Sequence, residues 1–160
     1  MNVRATTSVE RRVHASPEDV WELWTTKDGI EAWWGPDGFK VRVRSLDVRA
    51  GGTLDYSMRA TGADQVEFMR KAGMPLETHH QLRFTEVEPP VRLAYVETVD
   101  FVPGVQPYEV HVSIELTAEN EGTLIVVTFD RMHDEHWTRL AVMGREEELG
   151  RLEKLLAART

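Results

Sequence analysis

The 160-residue sequence contains no cysteine. That excludes disulfides, thiolate metal sites and cysteine nucleophiles, and it fits a reducing compartment. No apolar run approaches the roughly 18–20 residues that cross a bilayer. The opening Met-Asn-Val-Arg-Ala-Thr-Thr lacks the apolar stretch of a secretory signal. A cytoplasmic protein without membrane insertion is therefore expected. Positive charge is also in deficit: 19 Lys and Arg stand against 27 Asp and Glu, a net charge of −8. Such a surface repels phosphate backbones, so nucleic acid is not an expected partner. A Gly-x-Ser-x-Gly nucleophile elbow is absent, and so is a Gly-rich phosphate loop. Gly51-Gly52 is too short for such a loop and reads as a turn or bulge.

What is present suits one domain over residues 1–160, with enough apolar residues for a substantial core. Residues 3–14 place Val3, Val9 and Val13 among polar neighbours, as on a half-buried first strand. Ser16-Pro17-Glu18-Asp19 is a helix start, with Ser16 as N-cap and Pro17 at the first helical position. That helix is predicted to run to about Thr25 and to bury Val20, Leu23 and Trp24. Asp28 is predicted to cap a second short helix through Ile30, Trp33 and Trp34, which Gly35-Pro36 ends.

From residue 40 the apolar period changes to two. Val41 and Val43, then Leu54, Tyr56 and Met58, then Leu82 and Phe84 each alternate with polar residues. Leu93–Val96 follows the Glu88-Pro89-Pro90 connection. Tyr108–Leu116 alternates again, and Glu119-Asn120-Glu121-Gly122 signals a hairpin turn. Thr123–Asp130 is apolar on both faces, as in a central or covered strand. Thr61–Thr78 fits neither period; its stretch Asp64–Ala72 reads as a short helix capped by Gly73, and the insertion is a candidate lid. Phe101–Pro107 is a second loop. Residues 134–159 form the longest helix, with Asp134 as N-cap and Trp137, Leu140, Ala141, Gly144, Glu148, Leu152 and Leu155 roughly on one face. This order implies an α+β layer fold: an antiparallel sheet of about six or seven strands, curled, with one long helix across its concave face.

These residues resemble the START/SRPBCC helix-grip superfamily, and within it the branch related to the C-terminal domain of the heat-shock-chaperone ATPase activator. The resemblance is carried by Val13-His14-Ala15-Ser16-Pro17-Glu18-Asp19-Val20-Trp21, Trp33-Trp34-Gly35-Pro36, Gly51-Gly52, and a terminal helix with Leu149, Leu152 and Leu155. It covers nearly the whole chain. Relatives often carry a Gly-Trp pair on the last helix; here Gly144 matches and Arg145 replaces the tryptophan. The resemblance implies a cavity between sheet and long helix that takes an apolar or amphipathic ligand. It does not imply a shared reaction.

Candidate site residues follow from direction. Neighbours on a helix point about 100° apart, so Trp33 and Trp34 cannot both face inward. One is expected in the core and the other at the cavity mouth, although packing alone would also explain both. Tyr56, Met58, Phe84, Tyr95 and Val112 are the inward set expected to line the concave face, with Tyr108 near one cavity end and Trp137 and Leu140 from the long helix. A filled core is the plainer reading of the same set. His80 shares the parity of Leu82 and Phe84, and Glu97 that of Leu93 and Tyr95. They are the candidate acid–base pair, unless they serve as satisfied structural polar groups. His133-Asp134-x-His136 offers metal-ligand types without a third ligand nearby, and Asp134 is already a cap, so no metal and no cofactor is expected. Glu146-Glu147-Glu148 reads as solvated helix surface, with Glu148 towards the inner face.

Binding of a small apolar or amphipathic molecule is the leading expectation. A cyclase or hydrolase using the same cavity is the first alternative. A chaperone cofactor, with the chaperone as partner, is the second and comes from the resemblance. A homodimer is compatible with a domain of this size, but no residue demands it.

Overall fold

In the computed structural model, which describes residues 5–100 and 102–159, the chain begins with β1 (Thr6–Val13), α1 (Pro17–Thr25) and α2 (Lys27–Trp33). It continues with β2 (Phe39–Leu46), β3 (Thr53–Ala60), α3 (Ala63–Lys71), β4 (Glu77–Glu88), β5 (Arg92–Val99), β6 (Tyr108–Glu119), β7 (Gly122–Asp130) and α4 (Glu135–Ala158). The fold is α+β, as the order of sequence patterns implies. Seven strands pair antiparallel in the order β1-β7-β6-β5-β4-β3-β2. Two residues named from the sequence, Val3 and Phe101, lie outside the described residues.

Ser16 caps α1, its hydroxyl accepting the Asp19 N–H at 3.2 Å. The start of α2 differs from expectation: Thr26, not Asp28, is its cap. Thr26 is extended (φ −122°, ψ 153°), its N–H closes α1 on Glu22 O at 3.1 Å, and its hydroxyl accepts the Gly29 N–H at 3.1 Å. One residue separates the two helices, so the same side chain must serve both ends. Asp28 falls in the first turn of α2, where a carboxylate suits the helix dipole. At the other end Gly35 has φ 93°, a conformation that a side chain would strain. Asp134 caps α4, accepting the Trp137 N–H at 2.8 Å.

The sheet bends through irregular pairing between Val43 and Ser45 and between Phe84 and Glu86. Gly51 and Gly52 dock the β2–β3 turn onto β4: Gly51 N–H donates to Phe84 O and Phe84 N–H to Gly52 O, both at 2.8 Å. Leu54, Leu82, Phe84, Tyr95, Val112, Ile125 and Phe129 are buried in one core with Val20, Leu23, Trp24 and Ile30 of the short helices. From α4, Leu149, Leu152 and Leu156 join it, and Leu155 is half-buried against it. Helix α4 packs on β1, α1 and α2. No helix among the described residues is long and apolar enough to cross a membrane.

Candidate binding pocket

The two tryptophans part at the end of α2. Trp33, the last helical residue, is 3% exposed; its indole N–H donates to Leu23 O at 2.7 Å, and its ring meets Trp24 edge-on at 4.7 Å. Trp34 leaves the helix in an extended conformation (φ −69°, ψ 143°) and is half-buried. Its ring lies 5.3 Å from Trp33, 6.1 Å from Tyr56 and 6.3 Å from Tyr95.

Trp34 borders a pocket of about 730 Å³ between the sheet and the first half of α4. Strands β3, β4 and β5 contribute Asp55, Tyr56, Met58, residues 79–82 and residues 97–99, and Asp100 follows. Val110, Phe129 and Met132 continue the wall, and Trp137, Leu140, Ala141, Gly144, Arg145 and Glu148 form its α4 side. Its size suits a small organic ligand, and its mixed aromatic and polar wall is of the usual kind. A smaller recess of about 250 Å³ adjoins it at Asp55, Tyr56, His79 and His80, and Arg44 and Ser45 complete that recess.

The residues expected to line the cavity therefore divide. Trp34, Tyr56, Met58, Trp137 and Leu140 line it. Trp33, Phe84, Tyr95 and Val112 do not; each is at most 3% exposed and is packed in the core. Inward parity is common to the strand residues of both groups; Tyr95 is met by the Trp34 ring at 6.3 Å and Phe84 packs on Tyr95 at 6.4 Å. Tyr108 is also outside the wall, its hydroxyl hydrogen-bonded to His133 Nδ1 at 2.8 Å. The segment 61–78 contributes nothing to the wall. Its α3 rests on Met69, beside β3, with Phe68 exposed.

His80 and Glu97 share the pocket wall, but each has its own partner. The His80 ring stacks on Tyr56 at 5.2 Å, and its Nε2 hydrogen-bonds Thr78 Oγ1 at 2.8 Å. Burial lowers the His80 pKa, partly offset by Asp100 and Glu97. Glu97 accepts from Arg145 Nη2 at 2.6 Å. Among the described residues no hydrogen bond joins His80 to Glu97. No group of three or more metal-ligating side chains gathers among the described residues.

Arg145 was not singled out for the site by sequence reasoning. Its side chain is 15% exposed and sits between the Glu97 carboxylate and the Phe129 ring, whose centroid is 4.9 Å from the guanidinium carbon. Burial works against the charge on Arg145, but Glu97, Tyr95 and Glu148 outweigh it and raise its pKa. Glu148, one turn further along α4, has its carboxyl pKa raised because burial outweighs the attraction of Arg145. Tyr56 and Tyr95 are also raised, chiefly by burial. The available signal was a charged residue beside Gly144 on an inward-facing turn of α4.

Residues 14–157 match the family described as Activator of Hsp90 ATPase homolog 1-like protein. Solved structures of the same fold include an AHSA1-like protein from Aeromonas hydrophila, with TM-score 0.71 and 23% identity over 96% of this chain and 93% of that one. A protein from Chromobacterium violaceum gives TM-score 0.72 at 20% identity, covering 94% and 96%. One from Nitrosomonas europaea gives 0.73 at 19% identity, covering 100% and 99%. No curated protein matches the sequence.

Proposed function

The chain belongs to the Activator of Hsp90 ATPase homolog 1-like family, and from that premise we propose that it binds a small amphipathic molecule in the pocket under α4. The observation that carries this reading is the pocket's wall: aromatic and aliphatic side chains around one half-buried ion pair, Arg145 with Glu97. Apolar lining supplies affinity through area removed from water, and a few fixed polar groups supply orientation. A purely structural core would have no use for a charged pair facing open volume, since burying ions is opposed by desolvation.

Gly144 gives the test. A side chain built there meets no atom within 4 Å, so Gly144→Phe projects a ring into the space without a clash at its base. Titration with a fluorescent apolar probe should show saturable binding to the chain and a loss of about tenfold or more in the variant, by the cost of displacing a well-packed ligand. Equal binding by both proteins would place the probe elsewhere and remove the reading.

Stimulation of a chaperone ATPase is the second reading, and the family match over residues 14–157 favours it. An ATPase assay with the cognate chaperone decides it: no stimulation at saturating protein removes it, independently of the pocket.

A further inference from the structure

We propose that the pocket's occupant is an organic cation, a protonated amine or quaternary ammonium carried on an apolar body. This rests on the reading of the pocket as a ligand site and names the ligand's chemical class. Three acidic side chains border the pocket, Glu97, Asp100 and Glu148, against one guanidinium, Arg145. Arg145 is committed to Glu97 at 2.6 Å and to the face of Phe129. That pair leaves two, Asp100 and Glu148, with no ion-pair partner in the same wall among the described residues. Asp55 is also at the pocket's edge, but it alternates with the inward Tyr56, and its carboxylate is held on the other face of the sheet by the Ser45 hydroxyl at 2.6 Å and the Gln81 amide at 2.7 Å, so it is not among them. Glu148 makes no salt bridge or side-chain hydrogen bond among the described residues, although Arg145 and Arg151 act on it through space. Arg44 lies in the adjoining recess, where it contacts His79 at 3.2 Å. Burial disfavours the charged form of His80.

An anionic ligand would meet those two carboxylates and would have to displace Glu97 from Arg145. An ammonium group meets carboxylates that lack a counter-charge, with Trp34, Tyr56 and Trp137 around it. Rings of this kind attract a cation as well as an apolar body. The chain's net charge of −8 favours the same sign of ligand during approach.

The test compares three probes with one alkyl chain: octylammonium, 1-octanol and octanoate. Each is titrated calorimetrically into the full chain at neutral pH and low salt, below its aggregation concentration. Octylammonium should bind about tenfold tighter than octanol, with octanoate weakest, as expected when charge adds to a shared apolar term. Glu148→Gln should reduce octylammonium binding severalfold relative to octanol, narrowing the difference between the two probes. Octanoate or octanol binding as tightly as octylammonium would overturn the cation assignment and leave the ligand-site reading standing. Failure of all three to bind would remove both. The comparison of probes on the unaltered chain decides the matter even if the variant folds poorly.

Discussion

Helix α4 serves two ends of the same interior, and the ends differ. Towards its C-terminus Leu149, Leu152 and Leu156 are at most 4% exposed and pack with the core that includes Val20, Leu23 and Ile30. Towards its N-terminus Trp137, Leu140, Ala141 and Gly144 face a pocket, and Leu140 remains 43% exposed. Arg145 and Glu148 stand at the junction, both in the pocket wall. Charge is tolerated there because the pair with Glu97 compensates it and the pocket gives it room. The closed end is filled by packed side chains, and the open end borders the pocket. One amphipathic pattern runs through both, so the pattern alone does not distinguish them.

Truncation should separate the ends most strongly. Leu152→Ala leaves a cavity at a fully buried site and should destabilise by about 2–5 kcal/mol. Leu140→Ala removes a side chain already near water and should stay within about 0.5–1 kcal/mol. Urea unfolding of both variants measures the difference; equal losses would mean that the two ends pack alike. A smaller contrast comes from the same substitution at two helical glycines. A Cβ on Gly29 of α2 would lie 2.7 Å from Glu22 O and 2.8 Å from Leu23 Cα, backbone that cannot step aside. Gly29→Ala should therefore cost about 1–3 kcal/mol as overpacking. A Cβ on Gly144 meets nothing, so Gly144→Ala should stabilise by about 0.4–1 kcal/mol through lower unfolded-chain entropy. Melting curves that shift in the same direction would break the contrast.

The elements themselves were largely legible in the sequence. Ser16-Pro17, Gly35-Pro36, Asp134 and the period-two runs are local signals, and each specifies its element through a cap, a turn or a face. The Asp28 cap failed because Thr26 and Asp28 are both good caps, and only the one-residue spacing between helices decides which one is used. The open end was less legible. Tyr56 and Tyr95 sit on inward positions of their strands, yet only Tyr56 lines the pocket. Which residue faces open volume depends on which side chains from other elements pack against it, as Trp34 and Phe84 do on Tyr95, and such tertiary contacts have no local code. Arg145 was legible only as a charged residue beside Gly144, because its partner Glu97 lies 48 residues away in the sequence.

The smallest effect belongs to the junction. Burial pushes the Glu148 carboxyl above its ordinary value of 4.5, against the pull of Arg145 and Arg151, with Glu97 and Glu147 adding to the rise. The folded chain therefore keeps this proton to a higher pH than the unfolded chain does. Between 4.5 and the raised folded value the native state binds more protons, so this group's contribution to stability falls as pH rises. Glu148→Gln removes the titration while keeping the shape. The variant should melt higher than the parent at neutral pH, and the gap should close as pH falls through 4.5. Taking the difference between the two proteins cancels every other titrating group they share to first order. A gap that widens on acidification would mean that the ionised Glu148 is held by Arg145 more strongly than burial opposes it. The junction would then belong with the closed end, as a structural ion cluster. A gap that closes leaves Glu148 as a carboxylate whose burial outweighs the pull of Arg145, the charge that the proposed ammonium ligand would meet.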